Sequence, residues 1–108
     1  MTFKRSTKLY IIQVGTEGPI KLGISKNVEN RFRNLQYANH KKLNIRCVFK
    51  GGRFEEDLLK WVWQKYNIHG EWFKLSKEII DFIELKDKDD YIGKLTGTYI
   101  ELYAEKKH

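Results

Sequence analysis

Apolar residues recur with two distinct periods along the chain. Lys8–Val14 is dense in β-branched and aromatic residues, and a second short apolar run, Ile20–Ile24, follows the turn-forming stretch Gly15–Pro19. The pair predicts a β-hairpin. Val28, Phe32 and Leu35 fall at i, i+4 and i+7 behind the capping types Ser25 and Asn27, which predicts an amphipathic helix over residues 28–37. On that helix Arg31 borders the apolar stripe, whereas Arg33 points to the opposite side. Leu43–Phe49 reads as a third strand, with Leu43, Ile45, Cys47 and Phe49 on one face and Gly51-Gly52 ending it.

From Phe54 to Tyr66 the residues Leu58, Leu59, Val62, Trp63 and Tyr66 trace a broad helical stripe, with Glu56 at its edge and Asp57, Lys60 and Gln64 on the other side. Gly70–Leu75 predicts a turn and a short strand, Ser76 a cap and Glu78–Glu84 a helix. A charged run, Lys86–Asp90, interrupts the pattern, and Tyr91–Tyr103 reads as a small hairpin turning at Thr96-Gly97. The expected order is β-β-α-β-α-β-α plus a C-terminal appendage. That is an α/β (α+β) fold with a small antiparallel three-stranded sheet flanked by helices. One domain is expected over residues 1–85, with a charged linker and C-terminal extension over 86–108. The extension carries Tyr91, Ile92, Leu95, Tyr99, Ile100, Leu102 and Tyr103, too apolar for a loose tail. It should dock on the domain or on a second copy as a homodimer.

Charge sharpens this picture. The 108 residues carry a net charge of +7, yet residues 1–75 hold +9 and residues 76–108 hold −2. A polyanionic partner, DNA above all, suits the first three-quarters, with Lys26, Arg33, Lys41, Lys42 and Arg46 as phosphate-backbone contacts. A basic surface kept for solubility, or one that meets an acidic protein, accounts for the charge equally well. The single cysteine, Cys47, excludes a disulfide framework or a thiolate zinc site within one chain. No apolar run approaches the roughly 18 residues of a membrane span, and the start lacks a signal-peptide core, so an intracellular, cytoplasmic protein with no membrane partner is expected. There is no Walker loop, no GxGxxG after a strand, no HExxH and no G-x-S-x-G, and His40, His69 and His108 show no ligand spacing.

What remains is a tyrosine in the first strand (Tyr10), Lys21-Leu22-Gly23 in the second, an arginine ten residues later on a helix (Arg31), and Glu56-Asp-Leu-Leu59 with Trp63, followed by Gly70-Glu-Trp-Phe73. In this joint spacing the chain resembles the GIY-YIG nuclease superfamily over roughly residues 8–84. It is most similar to a phage- and mobile-element-associated branch in which Lys-(Ile/Leu)-Gly replaces Tyr-Ile-Gly. The resemblance implies a GIY-YIG-like fold, in the cytoplasm of a bacterium or a phage-infected host. It implies a DNA-binding endonuclease that hydrolyses phosphodiester bonds with one divalent metal, Mg²⁺ or Mn²⁺ in its place. By the same resemblance Tyr10, Lys21, Arg31 and Glu56 are the catalytic residues, Glu56 is the metal ligand, and Asn67 matches a late polar position.

Those residue types suit the chemistry. A carboxylate such as Glu56 can hold one hard cation that keeps most of its waters. Arg31 can pair with nonbridging phosphate oxygens, and Tyr10 can act as general base if a nearby cation, for which Lys21 is placed, favours phenolate. Each residue alone also fits a purely structural role. Glu71 fits a structural role inside Gly-Glu-Trp-Phe, and Tyr91-Ile-Gly93 lies too far from Tyr10 to be the second motif. Two other functions stay open: a non-catalytic nucleic-acid-binding domain of the same fold, and a protein-interaction module with a basic surface.

Overall fold

The computed structural model describes residues 6–105. Met1–Arg5 of the expected leaderless start, and His108, lie outside the described residues. The strands are β1 (Lys8–Val14), β2 (Ile20–Ser25), β3 (Leu43–Lys50), β4 (Asn67–His69) and β5 (Trp72–Phe73). The helices are α1 (Val28–Tyr37), α2 (Arg53–Val62, extended by a 3-10 turn at Gln64–Tyr66), α3 (Lys77–Glu84) and α4 (Lys88–Glu105). Every strand pair is antiparallel, in the order β3-β1-β2-β5-β4. The sheet thus has five strands rather than the expected three. Gly70, at φ +56°, lets the chain reverse tightly, so that β4 and β5 form a miniature hairpin that extends the β2 edge.

Capping fixes where helices begin. The Asn27 side chain accepts from the Asn30 amide ahead of α1, and Ser76 Oγ accepts from the Ile79 amide ahead of α3. Alternation along β1 then divides the interior in two. Leu9 and Ile11 join Ile20, Leu22, Leu58, Leu59, Trp63, Phe73, Ile79 and Phe82 on one face of the sheet. Tyr10, Ile12 and Leu43 pack beneath Val28, Phe32 and Leu35 of α1 on the other. Trp63 is wholly buried, edge-on to Phe73 and Phe82 at centroid distances of 6.3 and 5.3 Å. Trp61 is exposed and lies edge-on to Tyr99.

Two expectations fail for identifiable reasons. Ile11 faces Cys47 and Ile12 faces Ile45, which leaves Arg46 as an extra residue in β3. This β-bulge switches the face of everything beyond it. Leu43 therefore belongs to the α1 side, and Cys47 and Phe49 to the other. Burial there pushes the Cys47 thiol up to about 11, leaving it protonated at neutral pH.

The second failure is the C-terminal hairpin, which is one helix. Tyr91, Leu95 and Tyr99 recur every four residues, with Ile92 beside them, and the Thr96 and Thr98 hydroxyls donate to carbonyls four residues back, so helical period overrides β propensity. Asp87 caps this helix, its Oδ1 accepting from the Asp90 amide. The first part of α4 packs within the chain, with Ile92 buried in the main core and Tyr91 edge-on to Phe82, whereas Ile100, Leu102 and Tyr103 are exposed. Deleting residues 88–108 should lower Tm by roughly 10 °C, since burial of Ile92 alone contributes about 1.5–3 kcal/mol. An unchanged Tm in a thermal melt would show that α4 adds nothing to the core.

Candidate active site

The site starts from one contact in the β1–β2 ladder. Tyr10 pairs with Gly23 and Ile12 with Lys21. The Tyr10 ring lies across Gly23 so closely that a Cβ added there would stand 2.2 Å from both Cζ and the hydroxyl oxygen. Only glycine permits that approach. The ring is 2% exposed, and α1 closes over it. Burial raises the phenol pKa above its ordinary value, Arg31 pulls it back, and Glu71 and Glu56 push it up further. Charges from α1, from the residue preceding β5 and from α2 thus act on a single phenol. Lys21, expected to be the cation that favours phenolate, is engaged elsewhere; Arg31 takes that part, and burial outweighs it.

The carboxylates and lysines form a chain of alternating sign. Lys21 Nζ lies 2.5 Å from Glu71 Oε2 and 5.9 Å from the centroid of the Trp72 ring. Lys60 Nζ sits between two carboxylates, 3.6 Å from Glu56 Oε1 and 3.8 Å from Glu71 Oε1. The Glu71 carbonyl accepts from the Leu22 amide, which ties the residue to β2. Glu56 is 4% exposed, and its second oxygen, Oε2, is buried with no hydrogen-bond partner. Desolvation raises its pKa, Lys60 opposes the shift, and Glu71 and Asp57 add to it.

Tyr10, Lys21, Arg31 and Glu56 are therefore linked through one electrostatic cluster, which also contains two residues that sequence reasoning set aside. Glu71 is a member of the charge chain as well as part of Gly-Glu-Trp-Phe. Lys60 sits one helical turn after Glu56, an i, i+4 spacing that is itself the signal for a carboxylate–lysine pair.

The expected DNA contacts Lys26, Arg33, Lys41, Lys42 and Arg46 are all exposed. The first four flank α1: Lys26 before it, Arg33 on it, and Lys41 and Lys42 in the loop that follows. Arg46 differs. As the bulge residue it donates to Gln13, whose place in the β1 alternation is opposite Tyr10 and Ile12. Asn67 Nδ2 donates to the carbonyls of Gly70 and Trp72, a turn-holding role, and His40 and His69 are exposed. Among the described residues no group of three or more His, Cys, Asp or Glu side chains could hold a metal ion, and no helix is long and apolar enough to cross a membrane.

Neither a curated protein nor a solved structure matches the chain significantly. A family model described as the T5orf172 domain matches residues 7–85, from the start of β1 to the end of α3, and so takes in the whole charge cluster but stops short of α4. The chain belongs to the T5orf172 domain family, a phage-associated family of the endonuclease kind.

Proposed function

We propose that this chain is a DNA-binding endonuclease of GIY-YIG-like type that hydrolyses phosphodiester bonds with the help of one divalent cation. The observation that carries the reading is Glu56. A carboxylate that is 4% exposed and has one oxygen without a partner is costly unless the site uses it. The donor set fits a hard cation such as Mg²⁺, which takes one or two carboxylates and fills its other positions with water and phosphate oxygen. Glu56 would hold it, with Glu71 across Lys60 as the nearest second carboxylate. Bound there, the cation would stabilise charge on the phosphate and on the leaving oxygen.

The chain's own residues supply the rest. Arg31, exposed on α1, faces the phosphate and stabilises the negative charge that grows on its nonbridging oxygens. As a phenolate, the Tyr10 oxygen would take the proton of the attacking water and return to the phenol. Burial holds its pKa up, Arg31 pulls it down and Glu71 and Glu56 push it up further, so neutralising the two carboxylates moves the balance toward the phenolate although burial still opposes it. Lys21 fixes Glu71 against β2, and its ammonium lies over the Trp72 ring. Lys26, Arg33, Lys41 and Lys42 hold the DNA backbone, whereas Arg46 is engaged with Gln13.

One observation favours a second reading, a DNA-binding domain without hydrolysis. The run Glu56–Lys60–Glu71–Lys21 balances its own charge without a metal. A supercoiled-plasmid nicking assay with and without Mg²⁺ or Mn²⁺ separates the two. Metal-dependent nicking is expected, and Tyr10→Phe should lower its rate by about 10²–10⁴-fold with DNA affinity unchanged. Binding should weaken with salt, with a log–log slope of about −0.9 per phosphate neutralised. Salt-sensitive binding without nicking in either metal would establish the second reading. Absence of binding at low salt would reject both.

A further inference from the structure

We propose that Lys60 is the resident counter-ion of Glu56 and must be displaced before a divalent cation can bind there. The inference rests on the metal-dependent reading above. It goes beyond that reading by setting a threshold on metal occupancy with a residue of the chain itself.

Three geometric facts lead to it. Lys60 Nζ stands between two carboxylates, at 3.6 Å from Glu56 Oε1 and 3.8 Å from Glu71 Oε1. A cation held by Glu56 would compete with that ammonium for the same carboxylate. Both separations exceed the roughly 2.7–2.9 Å of a charge-assisted hydrogen bond, so Lys60 makes long contacts with both carboxylates rather than one tight one. Lys21 provides the internal contrast, since its 2.5 Å contact fixes it to Glu71. Of the two lysines, Lys60 is the one that can leave. Its side chain is also 31% exposed, against 14% for Lys21, so a path into water exists.

The vacated position has a reason to bind metal. Glu56 Oε2 is buried without a partner, and a carboxylate that uses one oxygen weakly and the other not at all retains most of its capacity for a cation. A divalent ion on Glu56 with the ammonium still in place would put like charges within a few ångströms in a partly desolvated site, where repulsion is poorly screened. Occupancy is therefore exclusive. Once displaced, Lys60 is free to meet an incoming phosphate. The metal-free protein keeps a neutralised site, and metal converts it to one with a net positive charge.

The test is Mn²⁺ binding, followed by calorimetry and by electron paramagnetic resonance of free Mn²⁺, in the full chain without DNA. Four proteins are compared: wild type, Lys60→Met, Glu56→Gln and the double variant. Lys60→Met should bind Mn²⁺ at least about tenfold more tightly than wild type, and Glu56→Gln should abolish binding in either background. In the wild-type chain, Mg²⁺ titration should also shift the NMR signals of the Lys60 ε-methylene and leave those of Lys21 in place. That measurement decides the matter even if Lys60→Met fails to fold. Glu56-dependent Mn²⁺ binding that is no tighter in Lys60→Met, or a Lys60 signal that does not move as metal binds, overturns the displacement and leaves the metal-dependent nuclease standing. No Glu56-dependent binding in any of the four proteins overturns both.

Discussion

Glu56→Gln should abolish Mg²⁺-dependent cleavage, by at least about 100-fold, while leaving the protein as stable as wild type or more stable. The two halves of this expectation have one cause. Glu56 is buried, its ionised form is disfavoured by desolvation and by Glu71 and Asp57, and the Lys60 ammonium stands 3.6 Å from it. The folded protein thus keeps a charge where its environment resists one. The amide has the same shape, removes the charge and can still accept from Lys60. A carboxyl whose pKa is raised on folding contributes stability below its unfolded value, and that contribution is lost as pH rises through the folded value. The advantage of the Gln variant should therefore be absent in acid and fully developed near neutral pH. Urea titrations of both proteins across that range measure it. A structural ion pair predicts the opposite sign, a loss of about 3–5 kcal/mol when one partner of a buried pair is removed, and that result would take Glu56 out of the chemistry.

The sequence made the site's frame legible where local chemistry and tertiary contacts agree. The β1–β2 hairpin, α1 behind Asn27 and α3 behind Ser76 follow from alternation, helical period and capping oxygens, and these elements carry Tyr10, Lys21 and Arg31. The misses share a physical origin in interactions with no local period. Arg46 looks like any strand residue until the β1 register shows that it is the extra one. Thr96 and Gly97 resemble a turn. They are nonetheless carried inside α4 because Tyr91, Ile92, Leu95 and Tyr99 have a core to pack against. Lys60 was legible as a polar-face residue of α2. Its partnership with Glu71, eleven positions on, arises only because the small β4–β5 hairpin brings that carboxylate back alongside β2. The charges around Glu56 are therefore set by tertiary return of the chain, which periodicity cannot encode.

Gly23→Ala should be among the most damaging single-methyl additions in this protein, costing about 1–3 kcal/mol or more and removing activity with it. The backbone at Gly23 is ordinary extended strand, so the cost lies in space rather than in conformation. The new Cβ would stand 2.2 Å from the Tyr10 Cζ and hydroxyl oxygen and 2.8 Å from Cε1. Neither side can yield cheaply. The ring is 2% exposed under Val28, Phe32 and Leu35, and the Tyr10–Gly23 pairing lies within a continuous antiparallel register from Lys8–Ser25 to Gln13–Ile20. Either the phenol is expelled from its buried place across Gly23, or the ladder parts. A double-mutant cycle with Tyr10→Ala tests the cause. Tyr10→Ala alone leaves a cavity worth about 3–5 kcal/mol, but in that background the alanine methyl at position 23 meets no ring and should cost little, giving a coupling of about 1–3 kcal/mol by urea unfolding. Strictly additive losses would mean that the ring and the glycine are not in conflict. Coupled losses would give the glycine of Lys21-Leu22-Gly23 its physical meaning: the position is kept free of a side chain so that the first-strand tyrosine can lie across the second strand and present its oxygen to the charge cluster.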